Sequence, residues 1–221
     1  LKKRLESFNE PNEVRVLSVA SIIGKEFSLD LLHELISYQL EMENQNEVIE
    51  LSDIINVIDK ARSRQLIRSE TIKGKGVYSF IHDKLLEILG QLLSPKESKD
   101  LHLIAARTLE KKHAANLESE VYQIAYHYNQ TDDVAKMLYF NEMAYKKAIS
   151  QFSLSETVYY MEKNLNYFIE NNVLTPQQLK LALELSPHAN NLGKGKDVIA
   201  YLEKMIPVAK EHNLQQDEMN L

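Results

Sequence analysis

Between Gln65 and Ile81 the hydrophobic period of this chain changes from the three-to-four-residue recurrence of a helix to the alternation of a strand. Leu66-Ile67-Arg68-Ser69, the turn-forming Lys73-Gly74-Lys75-Gly76 and the β-rich Val77-Tyr78-Ser79-Phe80-Ile81 together read as a hairpin. Helical patterns lie on both sides, so the fold is expected to be mainly all-α with one small β element. Upstream, Pro11 suits a first helical turn, Gly24 suits a stop, and the mostly apolar Val14 to Ile23 between them predicts a buried helix over 11–23. Ser28 is a candidate cap for a second helix, with Leu31, Leu32, Leu35 and Ile36 at helical spacing up to about Leu40. The Glu- and Asn-rich stretch from Glu41 to Glu47 reads as a loop. Ser52 is a candidate cap for a third helix carrying Ile54, Ile55, Ile58 and Ala61 to near Arg64.

Three helices followed by a hairpin is the order of a winged helix, with the second and third helices as a helix-turn-helix and the hairpin as the wing. We therefore expect a winged-helix-like domain over 1–93. From 94 to 221 the pattern is helical throughout and predicts a tetratricopeptide-like helical-repeat domain. Asp83 is a candidate cap for a segment with Leu85, Leu86, Ile88, Leu89, Leu92 and Leu93. Ser94-Pro95-Lys96-Glu97 combines a cap, a proline at the first helical position and a glutamate that bonds back, and predicts a helix over 95–113. Ser153-Leu154-Ser155-Glu156 and Thr175-Pro176-Gln177-Gln178 repeat the device, and Gly193 and Gly195 mark a break. Helices are thus expected near 118–129, 133–151, 155–171, 176–192 and 196–212, with Pro187 and Pro207 kinking or shortening the last two. Glu156 to Leu165 (ETVYYMEKNL) aligns with Asp197 to Ile206 (DVIAYLEKMI) at an offset of 41 residues, as stacked repeats would.

Several function classes are disfavoured. A formal net charge of -6 over 221 residues does not suit sequence-independent nucleic-acid binding, which needs a basic face. No apolar run reaches the roughly 18 residues that span a bilayer, so no membrane partner is expected. The absence of Cys removes disulfides, thiolate metal ligands and thiol nucleophiles, and a cytoplasmic location follows as the expectation. The His residues at 33, 82, 102, 113, 127, 188 and 212 lack the helical zinc spacing, and no GxxxxGK[ST], GxGxxG or GxSxG loop is present. We expect neither a metal site nor catalysis. The third helix offers Asp53 and Asn56 in its first half and Lys60, Arg62 and Arg64 in its second, a thin surface for DNA. The absent initiator Met and the end at Asn220-Leu221 suggest a piece of a longer polypeptide.

Phe80-Ile81-His82-Asp83 marks the change from strand to helix. A His at a helix N-terminus can donate to a phosphate oxygen beside the free backbone amides, and Asp83 there would cap the helix. His82 and Asp83 are the candidate ligand-binding residues. Tyr122, Tyr126 and Tyr128, at helical spacing, are candidate anchors for a partner or else core.

LSVASIIGKEFSLDLL (17–32), LIRSE (66–70), YSFIHDKLLEILGQLLSPKESKDLHLIAARTLE (78–110) and YQIAYHYNQTDDVAKMLYFNEMAYKKAIS (122–150) follow one another in an order that resembles a known family. It is the region after the nucleotide-binding domain of STAND-class signalling ATPases, as found in bacterial multidomain regulators, kinases and nucleotide cyclases. The resemblance spans about 17–170. It implies a non-catalytic regulatory fragment whose winged helix packs on its own NTPase core and whose repeats bind a protein or peptide. The family's Met-His-Asp motif falls on Ile81-His82-Asp83, with Ile in place of Met. The resemblance implies that His82 contacts the phosphates of ADP and that ADP or ATP binds the full-length parent, with no cofactor in the fragment alone. Two other readings stay open: a DNA-binding transcriptional regulator with a ligand-sensing repeat domain, and a protein-interaction scaffold.

Overall fold

The computed structural model describes residues 7–42, 49–72, 75–173 and 175–211. The chain is mainly helical with a three-stranded antiparallel sheet and divides into two compact units. The first takes the chain up to Ala114 together with His127–Asp132; the second takes Ala115–Tyr126 and everything from Asp133. The boundary expected at 93/94 therefore falls inside the first unit.

In the first unit, α1 (Pro11–Ile23) buries every residue from Val16 to Ile23, which explains why its apolar residues show no single stripe. Around it pack α2 (Leu29–Met42), α3 (Leu51–Ser63), α4 (Asp83–Gly90) and α5 (Pro95–Lys112). Leu17, Leu32, Leu35, Ile36, Ile54, Ile58 and Leu85 fill the core of this unit. The hairpin forms as expected, from β2 (Ile67–Ile72) and β3 (Lys75–Phe80), with Ile67 opposite Phe80 and Ile72 opposite Lys75. Lys73 and Gly74 of the expected turn lie outside the described residues, as do 43–47 of the expected loop; Glu41 and Met42 are helical.

Three local expectations change. A two-residue strand, β1 (Glu26–Phe27), pairs with β3 and sets the sheet order β1-β3-β2. Its anchor is Phe27, whose ring lies 5.5 Å from that of Phe80 and 5.9 Å from that of Tyr78. Ser52 is not the cap of α3: Glu50 holds that position and forms a reciprocal capping box with Asp53. Asp83 is the first residue of α4 and His82 its N-cap, and no side chain caps that helix; the Asp83 carboxylate instead meets the Lys25 ammonium at 2.8 Å.

In the second unit a 3-10 turn (Leu117–Glu120) leads into α6 (Val121–Tyr128), whose last two residues belong to the first unit. Then α7 (Val134–Ser150), α8 (Leu154–Glu170), α9 (Pro176–Asn191) and α10 (Gly195–Glu211) follow, each packed on the next. Capping boxes at Ser94 and Thr175, each with a proline behind it, start α5 and α9 as their sequences predict. Pro187 and Pro207 do not shorten their helices, which continue through both. The two aligned segments agree in burial at some positions and differ at others. Thr157 and Val198, then Asn164 and Met205, are buried at equivalent places on α8 and α10. Val158 and Leu165 are buried too, yet their equivalents Ile199 and Ile206 are 57% and 48% exposed.

Several helices end in a Schellman turn, in which one residue takes the left-handed conformation and the next amide reaches back to a carbonyl five residues earlier. After α8 and α9 the left-handed residues are Asn172 (φ 54°) and Gly193 (φ 73°), both suited to it. After α7 the position is held by Phe152 (φ 56°), with the Ser153 amide donating to the Ala148 carbonyl at 2.9 Å. Phe152 is 96% exposed and gains almost no burial in return. Replacing Phe152 with Gly should stabilise the chain by about 1 kcal/mol, measured by thermal or urea unfolding.

Candidate functional site

The strand-to-helix junction at β3–α4 is held by backbone bonds to two other segments. The Phe80 amide donates to the Lys25 carbonyl and the Ile81 amide to the Leu66 carbonyl, both at 2.9 Å. Phe80 is buried, so the chain emerges from the core there and places Ile81, His82, Asp83 and Lys84 at the surface. His82 has an extended backbone (φ -128°, ψ 126°), as an N-cap requires. The Leu85 amide donates to the His82 carbonyl at 2.9 Å, which leaves the amides of Asp83 and Lys84 ahead of the helix ladder.

The junction thus gathers an exposed imidazole, first-turn amides at the positive end of a helix and the Lys25 ammonium. These are the donors a phosphate oxygen takes. The Asp83 carboxylate opposes an anion at the same place, and its pair with Lys25 neutralises part of that opposition. Both partners of the pair are more than half exposed, so it contributes under about 1 kcal/mol to stability. Lys25 was not among the residues that the sequence pointed to. Its signal was faint: a lone cation beside a two-residue strand 58 positions before Asp83.

A second polar constellation, buried in the first unit, also lay beyond sequence reasoning. The Nδ1 atoms of His102 and His127 are 2.9 Å apart, one donating and the other accepting. Burial lowers the pKa of His102 to about 4; burial, then the neighbouring His102, lowers that of His127 to about 3. The next residue, Tyr128, is also buried and donates its hydroxyl to Glu110 at 2.6 Å. Tyr128 is therefore core and not a surface anchor. Tyr126 is 38% exposed, and the half-buried ring of Tyr122 stacks on Tyr160 at 5.7 Å, with the Lys147 ammonium 4.8 Å from its centroid.

Two of the three cations expected on the third helix are engaged within the unit, and the third, Arg64, is the exposed residue that ends α3. Lys60 meets Glu13 at 2.6 Å and Arg62 meets Asp59 at 2.7 Å. Asp53, at the end of α3 that would enter a groove, sits in the capping box. Among the described residues no group of three or more His, Cys, Asp or Glu is placed to hold a metal ion, and no helix is long and apolar enough to cross a membrane. Comparison with family models, curated proteins and solved structures finds no significant match to this chain.

Proposed function

We propose that this chain is a regulatory, signal-relay part of a STAND-type ATPase, with a winged helix that packs on the NTPase core and helical repeats that receive a partner. The observation that carries the reading is the place of His82. It is exposed at a helix N-terminus, directly after the last strand of an α1-β1-α2-α3-β2-β3 arrangement whose sheet order suits a winged helix. In this reading His82 donates to a phosphate of ADP held by the core, and the first-turn amides and Lys25 add to the attraction. A nucleotide bridging the core and the winged helix favours a closed form. Nucleotide exchange, or a partner on the repeats, favours an open one. Exposed Tyr126, Tyr139, Tyr159, Ile199 and Ile206 in the second unit support partner binding there.

The fragment itself is assigned no catalytic role. A DNA-binding regulator is the less favoured reading, because the net charge is -6 and two of the three cations at the end of the third helix, Lys60 and Arg62, are paired with carboxylates. It predicts steeply salt-dependent duplex binding. A scaffold alone predicts that His82 affects nothing but stability.

Calorimetry on the full-length parent, with ADP and ATP, tests the assignment. His82→Ala should weaken ADP binding by about tenfold or more, the worth of one charge-assisted hydrogen bond, with ATP affected less. Equal ADP affinity in a folded His82→Ala protein would end the assignment.

A further inference from the structure

In the second unit the helix pairs α7–α8 and α9–α10 match in their bounds and turns at an offset of 41 residues. That shift carries Leu154–Glu170 onto Gly195–Glu211 end for end, and Val134–Ser150 onto Pro176–Asn191 except at the first residue. It also carries the left-handed Phe152 onto the left-handed Gly193. The bond from the Ser153 amide to the Ala148 carbonyl falls on that from the Lys194 amide to the Ala189 carbonyl, both at 2.9 Å.

Within this frame α8 has two covered faces. Asn164 receives the Asn141 amide of α7 at 2.9 Å, whereas Glu162 receives the Lys194 ammonium, from the turn of the following pair, at 2.8 Å. Val158 and Leu165 lie four residues before and three after Glu162, on the same helix face, and both are buried. This is the face that α8 turns to its successor, and α8 packs on α9.

The counterparts on α10 are Ile199, Glu203 and Ile206, which repeat the order of apolar, glutamate and apolar. All three are exposed. A helix array that ends requires a polar outer face on its last repeat. Two isoleucines flanking a glutamate are the opposite of such a cap and copy the face on which α8 is stacked. The sequence also keeps its phase beyond α10: Glu211-His212-Asn213-Leu214 stands at the same offset from Glu170-Asn171-Asn172-Val173, with Glu and the second Asn repeated.

We propose that the Ile199–Glu203–Ile206 face of α10 receives a further helix pair of the same repeat, supplied by the polypeptide that follows Glu211, with a basic residue at its turn to meet Glu203. The occupant belongs to the same polypeptide because the face copies the one on which α8 receives its own successor, and the sequence after α10 continues in the same phase. Ile199 and Ile206 then belong to the array, and the exposed tyrosines are the surface that the second unit leaves to a partner. The inference rests on the two helix pairs and not on the nucleotide reading of His82.

Comparing the 221-residue chain with the full-length parent, by hydrogen exchange and thermal unfolding, tests it. The α10 amides should exchange about tenfold or more slowly in the parent, where the face is covered. Ile206→Lys should move the unfolding midpoint of the 221-residue chain by less than about 2 °C, since the side chain is half exposed there, and lower that of the parent's repeats by about 5 °C or more. Equal α10 exchange in the two wild-type proteins would overturn the proposal, and so would equal effects of Ile206→Lys in both. Sedimentation of the 221-residue chain separates out a second copy: self-association that Ile206→Lys abolishes would assign the face to that copy and overturn the proposal as well.

Discussion

Acidification from pH 7 to pH 4 is expected to remove much of the stability of the first unit, with the loss beginning near pH 6.5. His102 and His127 are buried and hydrogen-bonded to each other, and their pKa values are lowered from 6.5 to about 4 and about 3. A lowered histidine pKa means that the unfolded chain binds more protons than the folded one at pH values between the two. Stability therefore rises with pH through that window, is fully present above about 6.5, and falls as the pH drops toward 4. With two such groups the slope is about 2 to 3 kcal/mol per pH unit. Thermal unfolding at pH 7, 6, 5 and 4 gives the wild-type slope. A His102→Leu/His127→Leu variant should lose most of it, since both titrating groups are gone. Equal slopes in the two proteins would show that the acid sensitivity lies elsewhere.

Asn141→Leu is expected to cost about 2 to 3 kcal/mol, more than its modest change in volume would suggest. Asn141 is fully buried on α7 and donates from Nδ2 to Oδ1 of Asn164 on α8 at 2.9 Å; Asn164 in turn donates to the Leu138 carbonyl at 3.1 Å. Removing the donor strands a buried amide oxygen, and that desolvation is the larger part of the cost. Replacing both residues by Leu removes the stranded oxygen, so the double variant should be more stable than the sum of the two single changes implies. Urea unfolding of the four proteins measures the coupling. A coupling near zero would mean that the two amides contribute independently.

What could be read from the sequence was what the chain encodes locally. Ser94-Pro95-Lys96-Glu97 and Thr175-Pro176-Gln177-Gln178 start helices because cap, proline and returning side chain lie within four residues. The hairpin was legible because Val77 to Phe80 alternates. β1 was not, because two residues cannot show a period and its strand character comes from pairing with β3. The cap of α3 was misplaced by two residues because Glu50 is an uncommon cap, and Asp53 makes it effective. Tyr126 and Tyr128 lie two positions apart on one helix, on different faces, and only packing shows which of them is buried.

The polar pairs were hidden for a further reason. His102 and His127 are 25 residues apart and Asn141 and Asn164 are 23 apart, so each reads alone as a stray polar residue on an apolar stripe. At the β3–α4 junction the sequence marked His82 and Asp83. The role foreseen for Asp83 as a cap gave way to its ion pair with Lys25, because the helix starts at Asp83 itself and His82 holds the N-cap position.

The central claim is that the N-terminus of α4 meets a nucleotide phosphate when the NTPase core is present. Hydrogen exchange on the full-length parent, followed residue by residue at Asp83 and Lys84 with and without ADP, tests it most directly. These amides precede the helix ladder, so a phosphate on them should slow their exchange on ADP addition by about tenfold or more, while their exchange in the 221-residue chain alone is unaffected by ADP. Unchanged exchange at both amides in a parent saturated with ADP would contradict the claim.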